Sequence, residues 1–349
     1  MSELLRVRMI LAGCVTALAL AGCGGGGGGS DSAPIAPPVS PGSPTQPTSP
    51  AAPGPLTPAP DPTTPTAPGA PAATGNIAVD GREWLNFRRG QIGMSTLTHS
   101  TVIDIAAQGH SEYQRVNNTI THDQVAGRQG FTGANVGDRL AAAGYRFNTN
   151  ASRAFGEVIS ATNNNSGQYM AEELITAVYH RFVIFEPVFK EIGTGAATTA
   201  QGYNYFTANF TANNGYGTGL SGGQVAVWPF GGQTAVPRNF FSNTESPDPV
   251  PDRDEVGYPI SVHANIDLTI RVTGFTVRPR GGADLAVRLL SNANDSHTGT
   301  SSAAIVPLAP LAANTTYEVS FNGSTDVVSS AGAVLSSTPV TRTWSFTTR

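Results

Sequence analysis

The chain has 349 residues, a formal net charge of −4 and only 13% charged residues. That length allows two domains with extensions, and the low, slightly acidic charge excludes the basic footprint of a nucleic-acid-binding protein. Few charges, with abundant Gly, Thr, Asn and Ser, suit an exported β-rich protein better than a cytosolic enzyme.

The first 23 residues read as an export signal. Arg6 and Arg8 form a basic start, and residues 9–20 form an apolar run too short to span a bilayer. Leu20-Ala21-Gly22-Cys23 follows. It resembles the lipobox of bacterial lipoproteins, which implies lipidation at Cys23, attachment to the membrane through that lipid, and Cys23 as the first mature residue. A plain secretory signal cut near Ala21 is the alternative. Cys14 and Cys23 are the only cysteines, so cleavage at Cys23 leaves no thiol for a disulfide, a zinc–thiolate site or a cysteine nucleophile. Residues 24–75 then read as a tether, first pure glycine and afterwards rich in Pro, Ala and Thr. Proline fixes φ and removes donors, so this segment favours extended polyproline II and gives reach.

Residues 76–213 read as the first folded domain. Trp84, Leu85 and Phe87 are expected in its core, with Arg88 and Arg89 on the surface. Residues 100–117 carry apolar positions at helical spacing behind a possible Ser100 cap. His110 sits on that stripe and reads as a packed core histidine rather than a ligand. Residues 135–143 predict a second helix stopped by Gly144, and residues 169–181 a third. His122 lies in a loop. Glu157 is a lone carboxylate in the apolar run at 154–159, where an unpaired charge is expensive, so it needs a cation, a helix N-terminus or a metal as partner. Residues 202–210 read as a strand.

These pieces resemble, in order and spacing, the CAP superfamily (cysteine-rich secretory, antigen 5, pathogenesis-related 1) in a disulfide-free bacterial form. The matching motifs are LeuAsnPheArgArg at 85–89, AlaAlaGlnGlyHis at 106–110, ThrHis at 121–122 and AspArgLeuAlaAlaAlaGlyTyr at 138–145. GlyGluValIle at 156–159, HisArg at 180–181 and GluIleGlyThrGly at 191–195 complete the series. The resemblance implies an α-β-α sandwich with a cleft holding His122, Glu157, His180 and an acidic residue that is Glu172 or Glu173. Val158 replaces the usual Asn, and ThrAlaValTyr at 176–179 replaces the usual SerProGly, two changes expected to line the cleft. Two imidazoles and a carboxylate make a plausible site for zinc or another divalent metal. Sharing one ion would require imidazole nitrogens of His122 and His180 within roughly 5 Å of each other.

Residues 214–257 read as a connector that is acidic near its end, and residues 258–349 as alternating strands. The run at 307–319 and TrpSerPheThrThr at 344–348 resemble bacterial immunoglobulin-like domains. His263 and His297 read as surface or edge residues. The fold class expected is α+β: a CAP-type α-β-α sandwich followed by an all-β immunoglobulin-like sandwich. The function expected is that of an exported, lipid-anchored or secreted binding module with an unidentified lipid, peptide or glycan ligand. A metal-dependent hydrolase using the same cleft and a purely structural envelope protein are the alternatives.

Overall fold

A computed structural model describes residues 65–221 and 223–349 and, ahead of them, the two-residue strand Val7–Arg8. Apart from that strand, the export signal, Cys23 and most of the tether lie outside the described residues. The tether's last stretch is docked: Ala67 and Ala70 pack against the core, and Gln168 Nε2 donates to the Pro71 carbonyl at 2.7 Å. Thr74 and Gly75 close onto the Asp80 carboxylate through three hydrogen bonds of 2.7–3.0 Å.

Helix α1 (Ile77–Gln91) starts at Asn76, whose side chain accepts from Val79 N. It extends well upstream of the Trp84–Arg89 motif and buries both arginines, contrary to the sequence expectation. Arg88 makes a two-point ion pair with Glu172 at 2.8 and 2.9 Å and lies 4.8 Å over the Trp84 ring. Arg89 donates to the carbonyls of Ile184 and Glu186 at 2.6 and 2.9 Å. Burial of these charges is tolerated because acceptors meet most of their N–H groups, Arg89 Nη2 being the exception.

Helix α2 (Thr101–Asn117) follows Ser100, and α3 (Val136–Ala142) opens with a capping box between Asn135 and Asp138. The single third helix expected is two helices, α4 (Gly167–Thr176) and α5 (Val178–Ile184), separated by Ala177 in an extended conformation. A four-stranded sheet lies between the helices, in the order Thr98–His99, Glu191–Thr198, Asn204–Ala212, Ala154–Thr162. The first pair is parallel and the others antiparallel. Helix α2 covers one face closely. A Cβ at Gly193 would fall 2.4 Å from Asp104 N, and one at Gly195 would fall 2.2 Å from Gln108 N, so the GlyThrGly motif admits the helix. Helices α1, α4 and α5 cover the opposite face, where a Cβ at Gly81 would strike the Phe206 ring and one at Gly156 would strike Val183.

The C-terminal half is a two-sheet sandwich. One sheet orders the strands Val287–Ser291, Ser302–Pro307, Ile260–His263 and Ala226–Trp228; the other orders Thr269–Pro279, Thr316–Val328 and Val334–Thr347. The strand Ala226–Trp228 comes from the segment expected to be a connector, so that segment belongs partly to the sandwich.

One apolar cluster runs without a break from Trp84 through Trp228 to Phe346, and α5 is wedged at its centre with every residue buried. Arg181 donates to the Pro259 carbonyl at 2.7 Å and to Ser261 Oγ at 3.2 Å. The Tyr179 hydroxyl donates to Asp295 at 3.0 Å. The Glu186 carboxyl group accepts from Ile266 N at 3.1 Å and Ser301 Oγ at 3.4 Å. His263, expected at the surface, is fully buried against Phe182 and Phe185, with Nε2 2.9 Å from Ser261 Oγ. Burial and the nearby Arg181 and Arg89 charges keep that imidazole well below its ordinary range.

Candidate functional site

The strand Ala154–Thr162 alternates its side chains between two packed faces, so Gly156 and Val158 point toward α5 while Glu157 points toward α2 and α3. On that face Glu157 stands opposite Asn209 of the neighbouring strand. The capping box of α3 fixes the helix that delivers Arg139. Its Nη2 lies 2.7 Å from both Glu157 oxygens, and its Nη1 donates to the His122 carbonyl at 2.8 Å. His122 Nδ1 meets Glu157 Oε1 at 2.9 Å. An ionised carboxylate only accepts, so the imidazole donates from Nδ1. Burial opposes ionisation of Glu157, but the Arg139 charge and the adjacent imidazoles outweigh it and lower the carboxyl to about 2.

His110 closes the network from α2. Its Nε2 sits 3.7 Å from Glu157 Oε1 and donates to the Thr121 carbonyl at 2.7 Å, and its Nδ1 accepts from Gln124 Nε2 at 3.0 Å. Burial dominates here and lowers the imidazole to about 4, so His110 is a neutral, hydrogen-bonded core residue near pH 7.

His180 belongs to a different pair. It stands in the first turn of α5, and its Nδ1 meets Glu245 Oε1 at 2.9 Å. The same carboxylate accepts the backbone N–H groups of Val178, Tyr179 and His180 at 2.8, 2.7 and 3.2 Å. The cause is local. Ala177 occupies the cap position and has no side-chain acceptor, so the buried helix start takes its acceptor from a remote segment. Glu245 is itself 2% exposed.

The single cluster expected from sequence is therefore two histidine–carboxylate pairs carried by elements on opposite faces of the sheet. His122 and Glu157 are brought together, whereas His180 goes to Glu245. Among the described residues, no hydrogen bond or ion pair joins His180 to His122 or Glu157. Glu172 is held by Arg88 and by Trp84 Nε1 at 2.7 Å. Glu173 is half-buried; burial and the Glu172 charge raise it to about 7, and it joins neither histidine. Val158 faces the hydrophobic core away from Glu157, so its difference from the family pattern does not line the Glu157 site.

The donor set does not fit one zinc ion shared by His122, Glu157 and His180: among the described residues no three His, Cys, Asp or Glu side chains converge as a metal site. The Nε2 atoms of both His122 and His180 are nevertheless buried without a hydrogen-bond partner, each with its Nδ1 held by a carboxylate. Sequence reasoning missed Arg139 and Glu245. The first had a signal, because a lone buried Glu157 demands a cation and Arg139 stands in the helix just before it. The second had only the missing cap at Ala177.

Residues 83–210 match the model of the Cysteine-rich secretory protein family, CAP. Residues 265–348 match that of the bacterial Ig-like domain. Among solved structures, an extracellular protein containing an SCP domain from Bacillus anthracis is similar at 23% identity, over 40% of this chain and 40% of that one, with a TM-score of 0.32. The chain thus spans about two fifths of that protein's length. An outer surface protein from Borrelia burgdorferi is similar at 14% identity over 38% of this chain and 89% of that one, also with a TM-score of 0.32. No curated protein matches. No described helix is long and apolar enough to cross a membrane.

Proposed function

The chain carries a CAP domain followed by a bacterial Ig-like domain, and from that premise we propose that it is an exported binding module of the cell envelope, anchored through a lipid on Cys23 and held out by its Pro-rich tether. Its ligand class is lipid, peptide or glycan. The observation that carries a binding rather than a hydrolytic role is the state of Glu157. A carboxylate held near a pKa of 2 by a two-oxygen contact to Arg139 is a poor general base, and the contact competes with metal coordination. The histidines and carboxylates of the family pattern hold this fold together.

Reversible divalent-metal binding at His122 is the second reading. It is supported by the buried Nε2 without a partner and by Glu157 behind Nδ1, the arrangement that orients a metal-binding imidazole. Calorimetry with zinc on the wild type and on His122→Ala separates the two. Equal heats support the binding module without metal, and a wild-type isotherm lost in the variant supports the second reading. Chelator-sensitive turnover of casein or an ester panel would overturn both in favour of a hydrolase. Acyl labelling of the wild type that disappears in Cys23→Ser supports the anchor; an unlabelled wild type refutes it.

A further inference from the structure

The hairpin formed by Thr316–Val328 and Val334–Thr347 is longer than its sheet neighbour Thr269–Pro279, which pairs only as far as Asp326. Its end therefore projects as a two-stranded ribbon. Val327, Val334 and Leu335 are 40, 46 and 68% exposed there, and residues 331–339 are exposed without interruption. Soluble domains avoid leaving large apolar side chains together at a projecting tip.

Two further features make the tip more than an untidy end. The register jumps from Val327↔Ser336 to Val328↔Val334, so Leu335 is the extra residue of a β-bulge, a device that re-aims a side chain. Charge is also kept away from it. Residues 327–341 contain no Asp, Glu, Lys, Arg or His. Asp326, at the base, is 1% exposed and tied to Arg271, Ser324 and Ser337.

We propose that this tip docks into the surface of a lipid bilayer through Leu335, Val334 and Val327. An uncharged apolar tip fits the bilayer interface, where any charge would resist entry and none is present. Nothing in the tip offers an ion-pairing surface to a charged partner. The chain outside the described structure supplies the proximity. With Cys23 lipidated, as the function proposed above requires, the chain length between residues 24 and 64 allows a reach on the order of 100 Å at roughly 3 Å per residue, enough for the tip to meet the membrane that holds the anchor. Tethering raises its effective concentration there, and a few aliphatic side chains then suffice. The two contacts orient the CAP domain relative to the membrane, because one continuous core joins it to the sandwich.

Hydrogen exchange of the exported full-length protein, read by mass spectrometry before and after adding neutral phosphatidylcholine vesicles, tests this. Amides at 327–335 slow by about tenfold or more with vesicles, the slowing persists in 0.5 M salt, and it is lost in Leu335→Asp, which folds normally because the side chain is exposed. Exchange unchanged by vesicles overturns the proposal. Slowing that follows protein concentration without vesicles also overturns it, and assigns the tip to a second copy. Flotation of Leu335→Asp with vesicles reports the lipid anchor separately. A wild type whose tip slows but which does not remain vesicle-bound refutes the anchor and keeps the tip.

Discussion

Replacing Arg139 with methionine keeps much of the side-chain volume and removes the cation from Glu157. The carboxylate is 1% exposed, and its remaining close contacts are the two imidazoles. Breaking a buried pair by deleting one partner costs about 3–5 kcal/mol, because the other charge stays behind unpaired. The pKa gives a consistent scale. A fall from 4.5 to about 2 is worth about 3 kcal/mol of folding free energy, present above pH 4.5 and lost as pH falls through 2. In Arg139→Met the burial penalty acts with much less opposition, so the carboxyl rises and takes a proton at mildly acid pH. The variant's deficit is therefore large at pH 7 and shrinks at pH 4, whereas the wild type still gains from the ionised pair at pH 4. Adding Glu157→Gln recovers most of the loss at pH 7. Urea midpoints at the two pH values, followed by tryptophan fluorescence, measure all three proteins. A deficit below about 1 kcal/mol at pH 7, the scale of a surface pair, would refute the reasoning. So would a deficit equal at both pH values, since it would trace to lost packing.

Burial pushes Glu186 up to about 8 against the hydrogen bonds and the Arg89 charge that lower it. The folded protein therefore keeps a proton that the unfolded chain releases above pH 4.5, so stability declines from pH 4.5 to 8 through this group. Glu186→Gln removes that slope and is the more stable protein at pH 8.5; parallel stability curves for wild type and variant would count against it. Glu245→Ala leaves three buried N–H groups and His180 Nδ1 without their acceptor, a loss of about 3–5 kcal/mol. It loosens the two halves, seen as a larger radius of gyration or faster exchange at residues 178–180; an unchanged melting temperature would show that water replaces the carboxylate.

Local chemistry was legible. The apolar spacing of α2 and the stop of α3 at Gly144 are written in neighbouring residues and appear where expected. The need of Glu157 for a cation was equally readable, because the cost of a buried charge does not depend on the rest of the fold. What failed was non-local. Arg88 and Arg89 look like a surface pair in their own window, and only Glu172, Ile184 and Glu186, some 84–97 positions later, supply the acceptors that bury them. The break at Ala177 carries no Gly or Pro. His263 looked like an edge residue because α5, which covers it, comes from the other domain.

That last point changes what the HisArg motif means in this chain. In sequence it marks one corner of a cleft. In the fold, His180 receives Glu245 from the segment leading into the sandwich, and Arg181 reaches the backbone of Pro259 and the Ser261 hydroxyl inside it. The uncapped start of α5 at Ala177 and the presence of Glu245 are two halves of one physical requirement. A buried helix start without a capping side chain must borrow an acceptor, and the donor of that acceptor is then bound to the helix. A spacer domain joined by a flexible linker has no use for such an arrangement. Here the connector is structural, and the orientation of the CAP domain on the sandwich follows from satisfying the backbone of α5.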